Sequence, residues 1–211
     1  MFRIKVCGIT NWTDARRAIE GGSDALGFNF YPRSPRYIEP AQARRIAARL
    51  PKGVAAVGVF VNEPLEVIER IARQVGLDYV QLHGDESPEI VAGVAKRIPA
   101  IKAIRVAPGF RAASLQKYCR ATAFLLDGFH PRLRGGTGRT VDWSLARRAG
   151  RYGPIVLAGG LRPDNVAAAI RSARPAAVDV SSGVESAPGR KDKVKLREFI
   201  EAALSASGAF A

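Results

Sequence analysis

The sequence predicts an α/β protein folded as a single-domain (β/α)8 barrel over residues 1–211. Short β-branched or apolar runs alternate with longer stretches of helical period from end to end, giving eight strand-helix pairs. The strand runs are nearly continuous in apolar character, as parallel strands covered by helices should be, and parallel strands need crossover helices. The 211 residues lie near the lower end, about 200, for this barrel, which leaves no room for a second domain. An open doubly wound sheet is the alternative arrangement. Against it, "CGITNW" after the first strand has no G-x-G-x-x-G fingerprint.

Taken in order, the first strand is expected at 4–7, ending on Cys7 and Gly8, with a helix at 12–21 closed by Gly21-Gly22. The second strand, 25–30, leads through the proline-stiffened "YPRSPRYI" at 31–38 to a helix at 40–50. A third strand at 54–61 precedes "NEP", whose Pro64 belongs in the first turn of a helix over 64–75, and Gly76 marks its end. The fourth strand, 79–82, is followed by "ESP", where Ser87 offers a cap before Pro88 for a helix at 87–97. The fifth unit places a strand at 101–106 and a helix at 111–119, and the sixth a strand at 123–127 and a helix at 143–149. In the seventh, strand 155–158 meets "RPDN", which puts Pro163 in the first turn of a helix over 163–172. The last pair is a strand at 177–181 and a helix at 192–206.

With 47% apolar residues the chain can bury a sizeable core. No run of about 18 uncharged apolar residues occurs, and the start, "MFRIK", lacks the apolar stretch of a signal peptide, so a cytoplasmic protein without a membrane partner is expected. Two cysteines are too few for a disulfide scaffold. The 33 basic and 19 acidic residues give a net charge of +14, but pairs such as Arg16-Arg17, Arg44-Arg45 and Arg147-Arg148 are scattered over helical segments with no basic-aromatic motif. No nucleic-acid partner is expected; the charge suits steering of a small anion into a cleft.

In such a barrel the active site lies at the C-terminal ends of the strands. Cys7 closes the first strand, where a thiol is either a small buried hydrophobe or a base. With an ordinary thiol only about 3% is thiolate at pH 7, so a base there requires positive potential nearby. Asp127 closes the sixth strand in "FLLDGF", either capping the turn at Gly128 or pairing with Cys7 as acid and base across the mouth. "VLAGGLRPDN" and "VDVSSGVE" follow the seventh and eighth strands, where barrels commonly hold phosphate. Gly159, Gly160 and Gly183 let backbone N–H groups approach an anion, Ser181 and Ser182 add hydroxyl donors, and a helix N-terminus adds partial positive charge. Arg36, in the loop after the second strand, can grip a carboxylate through its fork or can be solvated. His83 ends the fourth strand and either binds substrate or satisfies neighbouring backbone groups. "RLRGGTGRT" at 132–140 has the glycine hinges of a closing loop. Cys119, inside a helical stretch, reads as filler, and His130 gives no signal.

Read together, "KVCGIT", "DALGFNFYPRSPRYI", "VGVFVN", "VQLHGDE", "LLDGF", "GGTGRTVDW", "LAGGL", "DVSSGVE" and "PGRKD" resemble the phosphoribosylanthranilate isomerase family, in order and across essentially the whole chain. The resemblance implies an Amadori rearrangement of a small phosphosugar, N-(5'-phosphoribosyl)anthranilate, in tryptophan biosynthesis. It implies Cys7 as general base, Asp127 as general acid, Arg36 against the anthranilate carboxylate, His83 near the mouth, and Gly159, Gly160, Ser181, Ser182 and Gly183 around the phosphate. Arg139 stands where the family commonly has lysine, and Val141 where phenylalanine often precedes "DW". No cofactor is implied, because the substrate nitrogen serves as electron sink, and no spacing of metal ligands is present. A monomer or homodimer is expected. The competing readings are another phosphosugar barrel, which in its metal-dependent epimerase form would want more than two histidines, and a basic binding module without catalysis.

Overall fold

A computed structural model describes residues 1–128 and 142–211. Eight parallel strands close into a barrel in chain order: β1 (Ile4–Cys7), β2 (Ala25–Asn29), β3 (Ala55–Phe60), β4 (Tyr79–Leu82), β5 (Ala100–Val106), β6 (Ala123–Gly128), β7 (Ile155–Leu157) and β8 (Ala177–Val180). The barrel shuts where β8 pairs with β1, Lys5 opposite Asp179. Around it run α1 (Trp12–Gly21), α2 (Pro40–Ala47), α3 (Leu65–Val75), α4 (Pro88–Ala95), α5 (Trp143–Ala149), α6 (Val166–Ala173) and α7 (Lys193–Ser205). The open-sheet alternative is thereby excluded.

Two cores follow from the period of the strands. Side chains alternate across a strand, so one set, including Val6, Leu26, Phe28, Phe60 and Leu126, packs outward against the helices. The other set, including Ala25, Val57, Ile101, Ala103, Leu125, Val156 and Ala177, fills the barrel interior. Cys7 lies two residues beyond the buried Lys5, and Asp127 two beyond the interior Leu125, so both point inward at the C-terminal rim. The helices dock by amphipathic faces. In α3 the buried residues are Ile68, Ile71, Ala72 and Val75, at intervals of three and four, and full burial of each large aliphatic stabilises by roughly 1.5–3 kcal/mol. Gly22 and Gly76 end α1 and α3 with φ of 106° and 78°, left-handed values that favour glycine. Ser87 caps α4 by accepting from Ile90 N, with Pro88 in the first turn.

Three expected features are corrected. The helical stretch at 111–119 is a 3-10 helix, Ala112–Tyr118, whose buried Leu115 and Tyr118 stand three apart, the interval that stacks side chains in that tighter winding. Pro64 occupies the extended cap position before α3 (ψ 147°), not its first turn. Pro163 likewise precedes its helix: Asn165 accepts from Arg162 N and donates to Gly160 O, both inside the turn, so α6 begins only at Val166. Two short antiparallel strands, β9 (Glu185–Ala187) and β10 (Arg190–Lys191), form a hairpin outside the eight expected units. Elsewhere strand ends differ by single residues from those expected. The glycine-rich loop at 132–140, with Arg139, and Val141 and His130 lie outside the described residues.

Candidate active site

The thiol of Cys7 has space because of its neighbour. Gly27 in β2 is the register partner of Cys7, and a Cβ there would stand 2.6 Å from Sγ. Beneath the thiol, Lys5 is fully buried and donates from Nζ to Asp179 Oδ1 at 2.8 Å. Burial pushes the Cys7 thiol up; the Lys5 ammonium opposes that rise, the Asp179 carboxylate adds to it, and Lys191 opposes it. Positive charge therefore stands near the thiol, on lysines held inside the protein, and only partly offsets the effect of burial.

Asp127, 3% exposed, reaches the same rim from β6. His83, the residue after β4, brings Nε2 to 3.4 Å from Asp127 Oδ2. The Gln81 amide nitrogen lies 2.9 Å from His83 Nδ1 and holds the ring in place. That Nε2 is buried with no hydrogen-bond partner among the described residues.

Beyond β7 and β8 the chain makes two loops that touch. Gly159 and Gly160 have φ of 78° and 64°, consecutive left-handed residues that a side chain would strain. Gly183 sits so close to the other loop that a Cβ would overlap the Leu161 carbonyl oxygen. Ser181 Oγ is buried without a partner among the described residues, and Ser182 and Gly183 follow it in a 3-10 turn.

Arg36 arrives from the loop between β2 and α2. Its stem lies over Gly8, where a Cβ would meet Arg36 Cδ at 2.7 Å. Its Nε and Nη2 donate to Glu185 Oε1 and Oε2 at 2.9 and 2.6 Å, and Glu185 also accepts from Lys191 Nζ at 2.9 Å. Lys191 Nζ donates in addition to the backbone oxygens of Cys7 and Ser181, at 2.6 and 3.3 Å. Burial works against ionisation of Glu185, but the Arg36 hydrogen bonds and the Lys191 ammonium outweigh it and hold the carboxyl below its ordinary value.

One cavity of about 570 Å³ opens at this rim. Cys7, Asp127, His83 and Arg36 line it together with Gly159, Gly160, Ser181, Ser182 and Gly183, so the candidate acid, base, substrate-binding and phosphate-loop residues meet there. Its size suits a ligand of phosphosugar dimensions. Cys119 stands apart, exposed at the end of the 3-10 helix. Among the described residues no group of three or more His, Cys, Asp or Glu side chains is gathered as a metal site. No described helix is long and apolar enough to cross a membrane.

Several contributors escaped the sequence reading. Lys5 and Asp179 carried a usable signal, isolated charges in strands otherwise apolar, with Lys5 at an interval of two from Cys7. Gln81, two before His83, carried the same kind of signal. Glu185 and Lys191 carried none, because their partners Arg36 and Cys7 lie 149 and 184 positions away.

A family model described as "N-(5'phosphoribosyl)anthranilate (PRA) isomerase" matches residues 4–202. An N-(5'-phosphoribosyl)anthranilate isomerase of Pelobacter propionicus is 53% identical over 203 residues, 96% of each chain. The crystal structure of phosphoribosyl anthranilate isomerase from Thermotoga maritima superposes with a TM-score of 0.90 at 47% identity, covering 97% of this chain and 100% of that one. A further crystal structure of such an isomerase, in complex with reduced 1-(o-carboxyphenylamino)-1-deoxyribulose 5-phosphate, is 46% identical with a TM-score of 0.87 and the same coverage.

Proposed function

The chain belongs to the N-(5'-phosphoribosyl)anthranilate isomerase family, and from that premise we propose that Cys7 and Asp127 perform the Amadori rearrangement of tryptophan biosynthesis at the barrel mouth. The enzyme opens the ribose ring of N-(5'-phosphoribosyl)anthranilate and converts the aldose to the ketose, 1-(2-carboxyphenylamino)-1-deoxyribulose 5'-phosphate. Asp127 gives its proton to the ring oxygen as the C1'–O bond breaks and the anthranilate nitrogen forms an iminium. That iminium acidifies C2', and the Cys7 thiolate takes the C2' proton. The enolamine so formed tautomerises, its C2' hydroxyl proton being lost as C1' gains one, to give the ketone. Each transfer asks for a group within about 2.6–3.2 Å of its proton's heavy-atom partner.

The two anionic ends of the substrate fix which atom meets which residue. Arg36 receives the anthranilate carboxylate. Backbone N–H groups of Gly159, Gly160 and Gly183 and the hydroxyls of Ser181 and Ser182 receive the phosphate, a role favoured by the unpartnered Ser181 Oγ, by Gly183, where a Cβ would overlap the Leu161 carbonyl oxygen, and by the left-handed Gly159 and Gly160. His83 presents Nε2, without a hydrogen-bond partner among the described residues, to a sugar hydroxyl beside Asp127. The single observation that carries this reading is that acid, base, carboxylate grip and phosphate loops line one cavity. The test is to mix the protein with freshly made phosphoribosylanthranilate and follow the loss of its anthranilate fluorescence. Rapid decay is expected, and persistent fluorescence with folded protein would redirect the assignment to other phosphosugar barrels.

A further inference from the structure

A guanidinium has five N–H donors in a rigid fork. Glu185 takes the side edge of the Arg36 fork, Nε and Nη2, at 2.9 and 2.6 Å. Three N–H groups remain without a partner among the described residues, and one on each Nη forms the end-on pair that matches a second carboxylate bidentately. Arg36 lines the cavity.

The rest of the cluster is saturated. Glu185 Oε1 accepts from Arg36 Nε, Lys191 Nζ and Gly189 N, and Oε2 accepts from Arg36 Nη2. The three donors of Lys191 Nζ go to Cys7 O, Ser181 O and Glu185 Oε1. The side chains of Lys191, Glu185 and Arg36 are only 0%, 5% and 16% exposed, so this is a buried assembly of two cations and one carboxylate. Asp14 approaches it only by accepting from the Lys191 backbone N, while pairing with Asn11 and Arg17. Buried charges persist when paired, and while the Cys7 thiol is neutral one positive charge is left over, on the one member with donors to spare among the described residues.

We infer that Glu185, anchored by Lys191, is the positioning residue that selects a monoanionic aromatic carboxylate: it clamps one edge of Arg36 so that the other edge and the one unmatched charge face the substrate. The same lysine ties the clamp to the backbone of Cys7 and Ser181, so the carboxylate grip, the base and a phosphate loop share one anchor. Glu185 touches no substrate atom; it acts through Arg36. This inference rests on the carboxylate contact proposed above for Arg36.

The test compares two substrates, phosphoribosylanthranilate and its decarboxy counterpart N-(5'-phosphoribosyl)aniline, in wild type, Glu185→Gln and Glu185→Asp. The readout is the ratio of their kcat/KM values. Wild type should prefer the carboxylate substrate by about tenfold or more, as expected for a hydrogen bond between charged partners. In Glu185→Gln, whatever loss both substrates share through the common Lys191 anchor, kcat/KM for phosphoribosylanthranilate should fall further than that for the aniline substrate by a similar factor, mainly through KM, so the ratio collapses. Glu185→Asp retains the charge that the buried cluster requires but withdraws the carboxylate from the fork by one methylene, and should lower the ratio too. A purely structural role would reduce turnover of both substrates alike and leave the ratio at its wild-type value, which would overturn the inference. Equal turnover of both substrates by wild type would also overturn it. Failure of wild type to process either substrate would instead remove the functional reading on which it rests.

Discussion

Gly27→Ala is the sharpest perturbation of the base that leaves the base itself in place. The added Cβ would stand 2.6 Å from Cys7 Sγ and 3.0 Å from Cys7 Cα. Carbon and sulfur settle at a separation of about 3.5–4 Å, the ordinary non-bonded range, so the thiol must retreat by about 1 Å. A misplacement of that size costs on the order of 10²-fold in rate where reacting atoms must be aligned. Overfilling a tight interior also destabilises by about 1–3 kcal/mol, which for a chain of this length lowers Tm by roughly 2–4 °C per kcal/mol. The assay is the fluorescence decay of phosphoribosylanthranilate at saturating substrate, with circular dichroism to confirm the fold. Gly58→Ala is the control: its Cβ would overlap Leu77 Cδ1 and press on Phe60 and Phe30, none of which lines the cavity. It should lower Tm while leaving kcat near wild type. A folded Gly27→Ala with wild-type kcat would refute the reasoning that the thiol position governs turnover.

Other expectations follow from the same geometry. Cys7→Ala or Asp127→Asn should each lower kcat by at least about 10²-fold without unfolding the protein; steady-state kinetics check this, and near-normal turnover would remove that residue from the mechanism. Arg36→Ala should chiefly raise KM for phosphoribosylanthranilate, since the carboxylate is remote from the bonds that change; an unchanged KM would contradict the contact. Burial pushes the Cys7 thiol up while Lys5 opposes the rise. In a Cys119→Ser background, alkylation of Cys7 by iodoacetamide should therefore accelerate with pH through a midpoint above the ordinary thiol value. Lys5→Met should move that midpoint higher still. Because the substitution leaves Asp179 without its buried partner, it should also destabilise by about 3–5 kcal/mol, read by thermal or urea unfolding.

The barrel was legible because its strands are local statements. β1 and β4 are short runs interrupted only by Lys5 and Gln81, with Gly8 and His83 just beyond, and the alternation of eight such runs with helical stretches permits few closures. The winding at 112–118 was less legible, since Leu115 and Tyr118 at an interval of three fit an α-helix as well as the tighter one. The site residues were legible where a polar group ends an apolar strand, as Cys7 and Asp127 do. The supporting shell was not. Glu185 belongs to a hairpin too short to show alternation, and its worth lies in Arg36, which only the closed barrel brings beside it. Gly27 needed the β1–β2 register before its missing side chain could be read as space for a thiol.

Diffraction from crystals soaked with the reduced product analogue tests the account most directly. C2' of the sugar should lie within about 3.5 Å of Cys7 Sγ, the oxygen on C4' within hydrogen-bond reach of Asp127, the carboxylate on Arg36 and the phosphoryl group between Gly160 and Gly183. A ligand seated with its phosphoryl group on Arg36, or with C2' beyond contact of the sulfur, would contradict it.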